Sequence, residues 1–180
     1  STRKESSAAS DVYKRQRFYF VHPDGAVQHY DKKHLFTFGG EHKRFTAGTE
    51  RVVVNFRGVR ILLEVCYDLR FPVWARNLGD YDMILYVASW PTPRVDAWSA
   101  LLRARAIENQ CYVAGVNRMG VDPACEYSGG SAIIDPYGKT IAECPWSRES
   151  AVSADIDMEA LQAFRKKFPV LDDADPFTLI

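Results

Sequence analysis

The alternation of apolar and polar positions along the chain predicts a β-rich protein with helices inserted between buried strands. Residues 17–22 (Arg-Phe-Tyr-Phe-Val-His) read as a strand, which Pro23-Asp24-Gly25 turns back into a second strand near 26–31. Residues 37–50 hold three glycines among polar residues and read as a loop long enough to carry function. Two β-branched runs, 51–56 and 59–65, flank Arg57-Gly58 and predict a second hairpin. Pro72 suits the first turn of a short helix that stops before Gly79. Residues 82–89 form a continuous apolar run, the pattern of a strand covered on both faces. Asp96 is placed to cap a helix of about fifteen residues, with Trp98, Leu101, Leu102 and Ile107 inward and Arg103 and Glu108 outward. Further strands are expected at 112–117, 129–134, from the turn at 135–138 to Glu143, and at 151–156. An amphipathic helix at 158–167 and an extended tail follow. Buried strands alternating with helices indicate a layered α/β sandwich.

Composition supports a packed core: of 180 residues, 47% are apolar and 13% aromatic. Lys plus Arg and Asp plus Glu each number 23, so no basic footprint for nucleic acid emerges. No apolar run approaches the roughly 20 residues of a membrane-spanning helix, and no signal peptide is recognisable. Cys66, Cys111, Cys125 and Cys144 contain no C-x-x-C pair, which points to free thiols and a cytoplasmic location. The four histidines, His22, His29, His34 and His42, have no metal-ligand spacing; neither a metal nor a cofactor is expected. Residues 1–16 are polar, Ser-rich and without periodicity, and read as a non-native leader joined to a domain spanning 17–180.

Cys66 is the most informative position. It stands where an apolar strand ends and a Pro-started helix begins, so its thiol can sit on a tight turn beside backbone N–H groups aimed at a developing negative charge. By position alone the commoner reading is a small buried hydrophobe, and a Cys–His pair with His34 or His42 remains open. The neighbouring motifs decide between these readings. Tyr30-Asp31-Lys32-Lys33-His34-Leu35-Phe36, then Glu41 with Gly48 beyond it, then Cys66-Tyr67-Asp68-Leu69-Arg70-Phe71-Pro72 resemble the motif series of the nitrilase or carbon-nitrogen hydrolase superfamily. Ala88-Ser89-Trp90-Pro91, the helical segment 103–109 and Tyr127 to Ser131 extend the resemblance, most narrowly to the omega-amidase branch.

That resemblance implies a four-layer α-β-β-α sandwich, incomplete here at its N-terminus, that forms a homodimer. It implies Cys66 as nucleophile, Lys32 as catalytic lysine, Glu41 as the auxiliary glutamate that orients the lysine or substrate, and the backbone N–H of Tyr67 in the oxyanion hole. Lys32 and Lys33 face opposite sides of an extended segment, which leaves Lys33 as the solvated neighbour. Phe36, Trp90 and Phe38 are expected to shape the pocket. An arginine is expected on the substrate carboxylate, with Arg70 and Arg94 as candidates, while Asp68 and Arg70 brace the turn after the nucleophile. The implied substrate is a small omega-amide of a 2-oxo dicarboxylic acid; a carbamoyl amino acid, a nitrile or another amide are the alternatives within the family. The family's general-base glutamate lies upstream of the lysine motif, and no residue here matches it. The chain as written is therefore expected to be inactive or nearly so, at the limit a dimerising module without catalysis.

Overall fold

The structure, a computed structural model, describes residues 14–179. Its centre is a six-stranded sheet built from β3 (Val53–Phe56), β4 (Val59–Val65), β5 (Met83–Ala88), β6 (Tyr112–Asn117), β9 (Ala132–Ile134) and β10 (Thr140–Glu143). The order is β10-β9-β6-β5-β4-β3, with β4, β5 and β6 parallel and the outer pairings antiparallel. β1 (Arg17–Val21) and β2 (Val27–Asp31) form a separate hairpin, and β7 (Met119–Val121) pairs with β8 (Glu126–Ser128). The helices are α1 (Pro72–Ala75), α2 (Val95–Asn109) and α3 (Met158–Lys167). Arg57 and Gly58 both take positive φ, the twist that a two-residue hairpin between β3 and β4 demands.

The period-two pattern of the parallel strands sorts the core into two faces. Leu62, Ile84, Tyr86 and Val113 point to the side covered by Trp98, Leu102 and Ala106 of α2. Ile61, Leu63, Val65, Met83 and Ala114 point to the other side, where Phe18, Phe20 and Tyr30 of the hairpin and Leu161 of α3 cover them. The described residues thus form a helix layer, a sheet layer, and a layer of hairpin plus α3, a mixed α/β arrangement of the sandwich class that the sequence indicates. Asp157 caps α3, its Oδ1 accepting the Ala160 N–H at 2.8 Å, and Arg165, Lys166 and Lys167 complement the helix dipole at the other end.

Four local expectations are corrected. Residues 151–156 form no strand: the sheet ends at β10 on one side and β3 on the other, and they pair with neither. Asp96 lies inside the first turn of α2, whose N-cap is Arg94 without a side-chain cap bond. Ile107 points outward, 53% exposed, whereas Arg105 is buried and donates to the Leu69 carbonyl at 2.6 Å and to Glu108 at 2.8 Å. Lys33 is half-buried, with its ammonium 5.0 Å from the Trp74 ring centre, and is not simply solvated.

Two features of the α2 face have measurable consequences. A methyl group at Gly115 would meet Leu102 Cδ1 and Trp98 Cζ2, each at 2.7 Å, and Trp98 is pinned by its indole N–H on the Gly130 carbonyl at 2.8 Å. Gly115→Ala is expected to lower unfolding free energy by about 1–3 kcal/mol in urea titrations.

Glu64, fully buried on β4, lies opposite Tyr86 of β5. Neither its carboxyl oxygens, the Tyr86 hydroxyl nor Arg105 Nε has a protein hydrogen-bond partner among the described residues. Burial, reinforced by the negative charge of Asp68 and only partly offset by Arg51 and Arg105, pushes the Glu64 carboxyl well above its ordinary value. Above about pH 4.3 the unfolded chain releases this proton while the folded chain retains it, so stability falls as pH rises through that window. Glu64→Gln removes the slope. Its stability relative to the parent should therefore be higher at about pH 8 than at about pH 4, by about 1.4 kcal/mol for each unit of upward shift. An equal difference at the two pH values in denaturant unfolding would show that Glu64 is ionised in the fold.

Candidate active site

β4 delivers Cys66 to the turn at its carboxyl end. Val65 is extended, Cys66 takes φ +50°, and residues 66–70 close a 3-10 turn that runs through Phe71 into α1. A positive φ is uncommon outside glycine, and strain of this kind recurs at functional turns. Asp68, fully buried, holds the turn closed. Its Oδ2 accepts the Val65 N–H at 3.1 Å and the Tyr30 hydroxyl at 2.8 Å, and its Oδ1 accepts the His34 N–H at 2.8 Å and lies 2.8 Å from His34 Nδ1. The Tyr30 oxygen in turn accepts the Trp74 indole N–H at 3.0 Å and the Lys33 N–H at 3.1 Å. Asp68 therefore braces the turn, as the sequence suggests, and His34 holds the loop, its ring stacked on Phe71 at 3.8 Å.

Lys32 follows β2 into this region and is 1% exposed. Its backbone N–H donates to Gln16 O at 2.9 Å, and its carbonyl accepts the Gly48 N–H at 2.8 Å. A methyl at Gly48 would lie 2.0 Å from the Asp31 carbonyl oxygen, so only glycine lets the two segments approach this closely. The Lys32 ammonium donates to Glu41 Oε2 at 2.7 Å and to Gln16 Oε1 at 3.2 Å. The same Glu41 oxygen accepts the Phe36 N–H at 2.7 Å. Burial opposes ionisation of Glu41, but the bonds from Lys32, Gln16 and Phe36 outweigh it and hold the carboxyl below its usual range. Residues 14–16, part of the segment that reads as a leader, run alongside: Thr46 N–H donates to Lys14 O at 2.8 Å and the Arg15 guanidinium to Ala47 O at 2.8 Å. Residues 1–13 of that segment lie outside the described residues.

The thiol of Cys66 donates to the Ser89 carbonyl at 3.8 Å. Burial pushes its pKa up; the positive charge of Lys32 pulls it down, while Glu41 and Asp68 push it up again. The resting group is accordingly a thiol, placed within the field of the Lys32–Glu41 pair. Cys111 is fully buried, and burial raises its thiol pKa further; Cys66 and Cys125 are the partly exposed cysteines.

The wall of the site is aromatic. Phe36 meets Tyr67 edge-on with ring centres 4.9 Å apart, and Tyr67 meets Phe71 at 5.1 Å. Arg70 lies over the Trp90 ring at 4.9 Å. Phe38, 87% exposed, meets this wall with its ring 5.8 Å from that of Phe36. Thus Lys32, Glu41 and Phe36 are joined by hydrogen bonds, Tyr67 adjoins them through Phe36, and Trp90 with Arg70 flanks Cys66 through Ser89.

Three contributors escape the motif reading. Asn117, at the end of β6, accepts the Trp90 N–H at 2.7 Å and donates to the Trp90 and Gly129 carbonyls at 3.0 and 2.7 Å, fixing that wall. An amide that closes a buried apolar run was the available signal. Gln16 has none, because its neighbours lack periodicity, and the Ser89 carbonyl is a backbone group invisible to residue type. Among the described residues no cluster of His, Cys, Asp or Glu is arranged to hold a metal, and no helix is long and apolar enough to cross a membrane.

Comparison with known proteins agrees with this geometry. Residues 3–166 match the carbon-nitrogen hydrolase family. The omega-amidase YafV of Escherichia coli K12 is 54% identical over 164 residues, covering 91% of this chain and 64% of that protein. A 2-oxoglutaramate amidase of Bacillus subtilis is 41% identical, over 91% of this chain and 63% of its own length. The chain thus spans just under two thirds of these curated relatives. The crystal structure of XC1258 from Xanthomonas campestris, a CN-hydrolase superfamily protein with an arsenic adduct in its active site, superposes with a TM-score of 0.89 at 48% identity, covering 92% of this chain and 66% of that one. A cysteine on a braced strand-end turn, a buried lysine paired with a glutamate and these matches lead to one conclusion: the chain belongs to the carbon-nitrogen hydrolase family.

Proposed function

We propose that this chain carries the nucleophile half of an omega-amidase site, which deamidates a small omega-amide of a 2-oxo dicarboxylic acid such as 2-oxoglutaramate. The observation that carries the reading is the buried Lys32, paired with Glu41, set against a cysteine on a strained turn. Support for the substrate class comes from the similarity to relatives named omega-amidase and 2-oxoglutaramate amidase.

In this reading Cys66 Sγ bonds to the amide carbonyl carbon. Lys32 and the Tyr67 N–H stabilise the oxyanion, and Glu41 keeps the ammonium of Lys32 aimed. The C–N bond breaks, the nitrogen takes up the proton given up by the thiol and leaves as ammonia, and water cleaves the thioester, its hydroxyl going to the acid and its remaining proton to the sulfur. Phe36 and Trp90 wall the substrate, with Arg70 stacked on Trp90 as part of the binding surface. Asp68 is committed to Tyr30, His34 and Val65, and Glu41 to Lys32 and Phe36. Neither is placed as the base that removes the thiol proton, so turnover is slow and limited by thiolate formation. A homodimer is the proposed assembly, for which the exposed Ile107, Tyr137 and Phe168 offer apolar surface. The cytoplasm is the proposed location, consistent with four free cysteines.

Iodoacetamide labelling read by mass spectrometry tests the electrostatics. Modification of Cys66 should rise about tenfold per pH unit through pH 7–8, with a midpoint above the ordinary cysteine value of about 8.5, while Cys111 stays unlabelled. A midpoint below that value would indicate a resting thiolate and a base not identified above.

Ammonia release from 2-oxoglutaramate, or accumulation of an acyl adduct on Cys66, tests the chemistry. Both should vanish in Cys66→Ala and fall at least about 100-fold in Lys32→Met. Persistence in Cys66→Ala, or absence of both signals from the unaltered chain, sinks the amidase reading.

A further inference from the structure

We propose that Arg94 recognises the carboxylate of the substrate and so selects acid amides over neutral ones; this rests on the amidase reading above. The segment that carries it starts at the nucleophile. The Ser89 carbonyl accepts from Cys66, Trp90 is clamped at both its N–H and its carbonyl by Asn117, and the Trp90 indole N–H donates to the Arg94 carbonyl at 2.6 Å. The Arg94 N–H donates to Pro91 O at 3.0 Å. The backbone of Arg94 is therefore fixed relative to Cys66.

Its side chain reaches the opposite border of the site. The guanidinium carbon lies 5.5 Å from the centre of the Phe36 ring, and Phe36 is the residue whose N–H shares Glu41 Oε2 with Lys32. Arg94 thus spans the two segments, 36–41 and 89–94, that border the thiol. Apart from Arg70, the other arginines withdrawn from solvent are committed: Arg60 and Arg165 to Asp82, Arg51 to Asp80, Arg76 to the Glu108 carbonyl, and Arg105 to Glu108 and the Leu69 carbonyl. The half-buried Arg94 guanidinium has no such partner among the described residues and rests only on a ring face. A guanidinium held through a π cloud keeps its fork of N–H donors available, and that fork matches a carboxylate bidentately.

Arg70 shares the lack of an ionic partner, but it lies over Trp90 and not over the residue bonded to Glu41. The structure therefore favours Arg94 for the end of the substrate that projects across the Lys32–Glu41 side. The complementary ligand is a short chain with an amide at one end and a carboxylate at the other.

Binding measured on the Cys66→Ala chain separates this proposal from the chemistry. Calorimetric titration with glutaramate and with its methyl ester should show the acid binding at least about tenfold more tightly, the scale expected for charge-assisted hydrogen bonds. In Cys66→Ala/Arg94→Gln that preference should collapse to near unity, and Arg94→Lys should restore part of it. A purely structural role for Arg94 would weaken both ligands equally and leave the ratio unmoved. An unmoved ratio in Arg94→Gln, a ratio lost in Arg70→Gln instead, or no preference for the acid in the Arg94-bearing chain overturns the proposal. Failure of the amidase reading appears separately, as absent Cys66-dependent ammonia release and acyl adduct in the unaltered chain.

Discussion

The carboxylate of Asp68 joins parts of the chain that are far apart in sequence. Tyr30 sits at the end of the hairpin layer, His34 in the loop beyond it, and Val65 at the last residue of the central strand before the nucleophile, and all three converge on its two oxygens. A buried carboxylate is costly to desolvate unless every lone pair is engaged, so the fold is stable only when these donors are all in place. Lys32 lies between Tyr30 and His34 in sequence, so fixing those two residues fixes the lysine as well. One buried charge thereby sets the position of nucleophile and lysine relative to each other, before any substrate is present.

The electrostatics of the site balance opposing charges. Lys32 favours the Cys66 thiolate, but its partner Glu41 and the brace Asp68 disfavour it, and burial penalises the charged form throughout. Burial therefore keeps the nucleophile protonated at rest, and the carboxylates that position the site add to it. Organisation and activation are separate functions here, and the described residues supply the first more fully than the second.

Much of this was legible in the sequence because apolar patterning and turn chemistry agree. The continuous apolar run of residues 82–89 reads as a strand covered on both faces, and β5 packs into the core on both. The β3–β4 turn follows from Arg57-Gly58, and α3 from its amphipathic face. The unread parts are those where residue type and environment conflict. Arg105 looks like surface in a helix yet is buried against a carbonyl, and Glu64 sits within an apolar strand as if it were one of its neighbours. Residues 151–156 alternate like a strand, but a strand also needs a partner edge, and pattern alone cannot supply it. In the site, the motif residues came through the family resemblance. Gln16, the Ser89 carbonyl and Asn117 depend on tertiary approach and left little or no trace in residue type.

The left-handed backbone of Cys66 sets what can replace it over generations. Glycine would relax that φ, and asparagine tolerates it, whereas a β-branched side chain would be strained there. Of the residues with a nucleophilic side chain, serine is thus accessible and threonine is not. Random drift at this position is drawn by the backbone toward residues that abolish the chemistry while easing the fold, an instance of function held against stability. A lineage released from the need for the reaction would lose its nucleophile early and keep its sheet.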